Sequence, residues 1–129
     1  MEAQRLQDVA EEAAGGLLAA ELEHPFGPDC EVYKVGGKMF LLSMQLRGTP
    51  LATVKCAPED VTALVQRYDD ITTGYHLNKR HWISVWPGEE VDDDLLRDLV
   101  KNSYLLVADS IPRSRRPLTS EVRFSTDTF

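Results

Sequence analysis

Between Cys30 and Cys56 the chain repeats one pattern three times: a short run rich in β-forming residues, then a turn. Cys30 to Val35 is followed by Gly36-Gly37, Lys38 to Leu46 by Arg47-Gly48-Thr49-Pro50, and Leu51 to Cys56 closes the series. Parallel strands need a crossover of about a dozen residues, and neither link is that long. The short links therefore favour antiparallel pairing of the three runs. Gly36-Gly37 suits a tight hairpin because such turns need positive φ. Alternation puts Phe40, Leu42, Met44 and Leu46 on one face of the second run, and Ala52, Val54 and Cys56 on one face of the third.

A half-apolar sheet needs a cover, and helical periodicity flanks it on both sides. From Glu2 to about Leu22, residues Leu6, Val9, Ala10, Ala13 and Leu17 recur at helical spacing, with Gly15-Gly16 as a point of ending or bending. His24 to Asp29, with two prolines and a glycine, reads as a connector. Ala57-Pro58-Glu59-Asp60 has Pro at a first helical position and acids in the first turn, before the stripe Val61, Leu64, Val65 and Tyr68. Thr72–His76 and His81–Trp86 are expected as two further strands about the turn Leu77-Asn78-Lys79-Arg80. Asp92-Asp93-Asp94 opens a last helix striped by Leu95, Leu96, Leu99, Val100, Tyr104 and Val107, and Pro112 closes it. The order α-β-β-β-α-β-β-α predicts an α+β domain of two layers, an antiparallel sheet with helices packed on one face.

The chain's 129 residues suffice for one such core and not for two. Its formal charge of −7 divides unevenly. Residues 1–112 carry ten Lys and Arg against nineteen Asp and Glu, a balance of −9. From Arg113 onward, Arg113, Arg115, Arg116 and Arg123 face only Glu121 and Asp127, a balance of +2. The domain is thus expected over 1–112, with 113–129 as a basic, flexible extension. An acidic body excludes a broad nucleic-acid coat and leaves room for a focal contact. No apolar run reaches the ~18 residues of a membrane helix, and the acidic N-terminal segment is unlike a secretory signal. Cys30 and Cys56, far apart and without an export signal, read as free thiols of a cytoplasmic protein.

Gly74-Tyr75-His76-Leu77-Asn78-Lys79-Arg80-His81-Trp82 stands out within this acidic body because it holds no acid. Asn78, Lys79 and Arg80 on a turn would reach phosphates, and Tyr75 or Trp82 would offer a stacking face. Alternatively Arg80 lies over Trp82, or the rings enter the core and the cations are simply solvated. Lys34 and Lys38 make the Gly36-Gly37 turn basic as well. Whether the two hairpins are neighbours is not legible in sequence. No zinc-ligand spacing is present; His76 and His81 are two potential ligands, too few to close a site, and no metal or other cofactor is expected. Cys56 precedes a helix start, which would favour a thiolate, but a small buried side chain is the simpler role. Asp69-Asp70 and the Asp92 triplet sit at helix boundaries, where acids cap, and no catalytic constellation emerges.

Several motifs resemble the MmcQ/YjbR-like family. They are Glu23-His24-Pro25-Phe26-Gly27-Pro28-Asp29, Val32 to Phe40 with its Gly36-Gly37, Lys55-Cys56-Ala57-Pro58-Glu59, Gly74 to Val85 around Asn78-Lys79-Arg80-His81-Trp82, and Ser103 to Val107 with Ile111-Pro112. The match runs from about residue 5 to Pro112 in order. The resemblance implies a CyaY-like α+β fold described as a "double wing" DNA-binding motif, with the hairpins as wings, and it brings no catalytic residues.

Two expectations follow. In the first, Asn78, Lys79 and Arg80 on one wing and Lys34 and Lys38 on the other contact DNA phosphates weakly and without sequence specificity, supported by Tyr75, His76, His81 and Trp82. In the second, the domain is a non-catalytic adaptor whose acidic surface meets a basic protein partner. Neither involves a membrane.

Overall fold

The computed structural model describes residues 1–112. The expected basic extension, 113–129, lies outside them. Helix α1 spans Ala3–Gly15, strand β1 Glu21–Glu23, β2 Cys30–Val35, β3 Lys38–Leu46 and β4 Thr49–Lys55. Helix α2 follows over Pro58–Arg67, then β5 Ile71–Thr73, β6 Trp82–Val85 and helix α3 Asp93–Ser110. The strands form one antiparallel sheet in the order β1-β2-β3-β4-β6-β5.

The expected α+β architecture is present, with one strand more than the sequence pattern gave. Helix α1 ends at Gly15, at the expected Gly15-Gly16 break, and Glu21–Glu23 beyond it is not helical but pairs along β2. Ala19 adopts φ 59° in the link, a left-handed turn that reverses the chain out of the helix. The last two strands are also shorter than expected, so the segment joining them runs from Gly74 to His81.

Pairing register separates the two faces of the sheet. One row across it is Tyr33, Leu41, Val54 and Ile83, and the next such row is Ser43, Ala52, Val85 and Ile71. Except for Ser43 these join Leu6, Val9, Leu96, Leu99, Val100 and Tyr104 of α1 and α3 in the main core. α1 and α3 lie over β3 and β4, and α2 lies over β5 and β6. The intervening row is Val32, Leu42, Thr53, Ser84 and Thr72. It points away from the helices, because side chains alternate along a strand.

A bulge modifies the alternation read from sequence. Tyr33 pairs with Leu41 but Lys34 pairs with Met39, so Phe40 is the extra residue. Phe40 and Leu41 are both fully buried in the main core, while Leu42 packs with Cys30, Val32, Met39 and Met44 on the other face. Phe40 thus leaves the face it was expected to share with Leu42 and Met44. Ser103 of α3 secures this place: its Oγ donates to the Phe40 carbonyl at 2.6 Å and accepts the Lys55 N–H at 2.8 Å. Tyr104 packs edge-on against Phe40 at 5.3 Å, and its hydroxyl donates to the Leu18 carbonyl at 2.7 Å.

Helix starts follow the sequence signals. Pro58 begins α2 with Glu59 and Asp60 in its first turn, and the Asp92 carboxylate accepts the Leu95 N–H at 2.8 Å to cap α3.

Candidate nucleic-acid interface

The antiparallel order brings both basic turns to one end of the sheet. β2 ends and β3 begins at the Val35–Lys38 pair. β4 returns and ends at Lys55, which pairs with Trp82, the first residue of β6. β5 ends nearby, where Thr73 pairs with Ile83. The midpoints of the two hairpins are three strand spacings apart, about 14 Å. β4 lies between them and brings Lys55, half-buried, to the gap. Lys55 was not among the expected contacts. A signal for it existed, since it alternates with Val54 and Cys56, but the strand that Lys55 faces is not legible in sequence.

Glycines fix both turns. Gly36 has φ 58°, and a Cβ there would collide with the Ile111 side chain just past α3. Gly74 donates its N–H to the Trp82 carbonyl at 2.7 Å, and a Cβ on it would lie 2.6 Å from the Trp82 Cβ.

The expected contact residues do not form one uniform patch. Lys34 pairs with Glu23 at 3.0 Å, a partner supplied by the strand missing from the expectation. Lys38, exposed on its turn, has no ion pair among the described residues. Lys79 and Arg80 are exposed and likewise without an ion pair there, and among the described residues the cation–π contact is not Arg80 with Trp82 but Arg67 over Tyr68 at 5.3 Å. Asn78 orders the turn: its Oδ1 accepts the Arg80 N–H at 2.9 Å and its carbonyl accepts the His81 N–H at 3.2 Å.

The connection 74–81 wraps the end of the sheet. On the face away from the helices, the Tyr75 N–H donates to Ser84 Oγ at 3.0 Å, and that oxygen shares a hydrogen bond of 2.7 Å with Thr53 Oγ1. Farther along, Lys79 and Arg80 reach the helix side, where they line a groove of about 540 Å³ with residues of α2 that include the acidic Glu59 as well as Pro58, Val61 and Val65, and with Thr73 of β5. Tyr75 and His76 rings meet edge-on at 4.1 Å. The His81 carbonyl accepts the Cys56 N–H at 2.8 Å, holding the connection to the end of β4. His76 and His81 lie outside the paired strands and are not cross-strand neighbours.

The thiols are unsuited to nucleophilic chemistry. Burial, then the nearby Asp60 and Glu59 charges, push the Cys56 thiol up to about 12, and burial also raises Cys30. The positive helix end does not overcome these effects. Among the described residues no group of three or more His, Cys, Asp or Glu side chains is placed to hold a metal ion, and no helix is long and apolar enough to cross a membrane.

The model of the YjbR family matches residues 16–106, a span that includes both hairpins and most of α3. The chain belongs to the YjbR family. It is 46% identical over 113 residues to uncharacterized protein YbdF of Escherichia coli O157:H7, covering 88% of this chain and 93% of that protein. It is 29% identical over 85 residues to uncharacterized protein YjbR of Escherichia coli K12, covering 66% of this chain and 72% of that one. Among solved structures, Deinococcus radiodurans protein DR2400 superposes with a TM-score of 0.75 at 30% identity, over 84% of this chain and 83% of that one. A Pseudomonas syringae protein superposes at 0.67 and 23% identity, over 83% of this chain and 99% of that one, a likeness of fold. The YjbR family match thus spans the sheet and the turn end, and the names of the two Escherichia coli relatives assign no activity.

Proposed function

We propose that this YjbR-family protein is a cytoplasmic, non-catalytic module that binds DNA by its phosphate backbone, using the two basic turns at one end of the sheet. The observation that carries this reading is their shared end, with Lys38, Lys79 and Arg80 free of ion pairs among the described residues. Lys55, between the turns, extends the contact. Asn78 shapes one turn, and Tyr75, His76, His81 and Trp82 hold it. Lys34 contributes less than the others because Glu23 already neutralises it.

So few phosphate contacts give weak affinity with little sequence preference. Each duplex phosphate contact contributes about 0.9 to the salt slope, so Lys79→Ala/Arg80→Ala is expected to lower the slope by up to about 1.8. Titration of duplex DNA at two salt concentrations with both proteins measures this. Equal binding by wild type and variant overturns the assignment of this turn.

A second reading, a docking module for a basic protein, is favoured by the acidic recess at the start of α3. Glu89, Asp92, Asp93 and Asp94 line a depression of about 480 Å³ there, with Arg5 and Arg97. A lysine-rich peptide whose binding survives loss of the turn cations, but not Asp92→Asn/Asp94→Asn, would support it.

A further inference from the structure

Resting on the phosphate-binding reading, we infer that the nucleic acid held at this end is single-stranded, with unpaired bases stacked on the exposed parts of the Trp82, Tyr75 and His76 rings, on the side of the sheet away from the helices. Among the described residues no helix packs on this side of the sheet, and its polar groups are already occupied. Thr53 and Ser84 are fully buried and bond each other, Ser84 Oγ also accepts the Tyr75 N–H, and Thr72 Oγ1 accepts the Trp86 indole N–H at 2.9 Å. Few side-chain hydrogen-bonding groups are therefore left on this part of the face to read base edges.

What remains available is ring surface and positive charge. Trp82 is partly exposed and is the register partner of Lys55 on the same face. Tyr75 crosses above Ser84, and His76, exposed, packs its ring against the Tyr75 ring. His76 holds φ 58°, a conformation that costs a non-glycine residue of order 1 kcal/mol or more, here at an exposed ring. Rings beside cations stack bases without regard to sequence and require those bases to be unpaired, because a duplex buries their π-faces. The connection 74–81 then carries the strand's phosphates around the sheet end to Lys79 and Arg80.

The test is fluorescence anisotropy with the full chain at low salt. The probes are a labelled oligothymidylate of about a dozen nucleotides and a duplex of equal length. Single strand is expected to bind about tenfold tighter than duplex. Trp82→Ala should weaken single-strand binding about tenfold, Trp82→Phe should retain most of it, and His76→Ala, at an exposed position, should weaken it severalfold. If Trp82→Ala does not fold, His76→Ala and quenching of tryptophan emission in the wild type decide. Duplex bound as tightly as single strand, or single-strand binding indifferent to these rings, overturns the stacking inference and leaves the phosphate reading intact. No binding of either probe overturns both.

Discussion

The two faces of the sheet are built from adjacent residues of the same strands, yet they solve different problems. Toward the helices, the rows Tyr33-Leu41-Val54-Ile83 and Ala52-Val85-Ile71 are apolar and sealed by α1, α2 and α3. One residue away, the row Val32-Leu42-Thr53-Ser84-Thr72 passes from apolar to hydroxylic as it approaches the 74–81 connection. The first face gains stability from area removed from water. The second uses paired hydroxyls to seat a ring-bearing connection on the sheet. Stability therefore rests mainly on the helix side, while the stacking rings lie on the other side and the turn cations at the end of the layer, and substitutions should separate them.

The largest effect is expected on the helix side. Phe40→Ala removes a fully buried ring that packs against Tyr104 and should cost about 3–5 kcal/mol, read from urea unfolding midpoints. On the other face, Ser84→Ala leaves Thr53 Oγ1 and the Tyr75 N–H without their partner. The expected cost is about 1–3 kcal/mol, with faster amide exchange at Tyr75. Met44→Ala, at a half-buried position of the smaller cluster, should cost about 1 kcal/mol. A Met44→Ala cost matching that of Phe40→Ala would break the distinction between the faces.

A smaller, pH-dependent effect lies on the helix side, where Glu11 of α1 meets β2 and β3. Burial raises the Glu11 carboxyl first, and its hydrogen bond to Glu31 raises it further, against the opposing Ser43 hydroxyl at 3.0 Å and Gln7. His24 and Tyr33 also face Glu31, at 3.7 Å and 3.5 Å. A raised folded-state value means the native protein holds its proton longer than the unfolded chain. Its contribution is full below the unfolded pKa and is lost as pH rises through the folded one. Glu11→Gln should therefore flatten the fall in melting temperature from about pH 4.5 toward neutrality. An unchanged profile would contradict the raised Glu11 carboxyl.

Much of this was legible in sequence where a residue acts locally. Gly36-Gly37, Pro58 and Asp92 each specify backbone geometry within a few positions, and each is found where expected. The first hairpin and the antiparallel sheet follow from links too short for a crossover. Features that depend on distant partners escaped. β1 is three residues long and exists because β2 offers an edge. The burial of Phe40 depends on a bulge that Ser103, far along the chain, helps to hold. The same reason explains the site. The 74–82 segment was conspicuous for lacking acids, but Lys34's neutralisation by Glu23 and the place of Lys55 between the turns appear only once the strands are ordered.

The most direct test of the account is residue-resolved. Amide and indole shifts of the isotope-labelled full chain would be followed while a short oligonucleotide is added. Perturbations are expected at Lys38, Lys55, Tyr75, His76, Lys79, Arg80 and the Trp82 indole, with the helix-side residues Leu96, Leu99 and Val100 unmoved. Perturbations centred on the acidic recess at Asp92–Asp94, or none at protein concentrations far above the affinity of nonspecific binding, would contradict it.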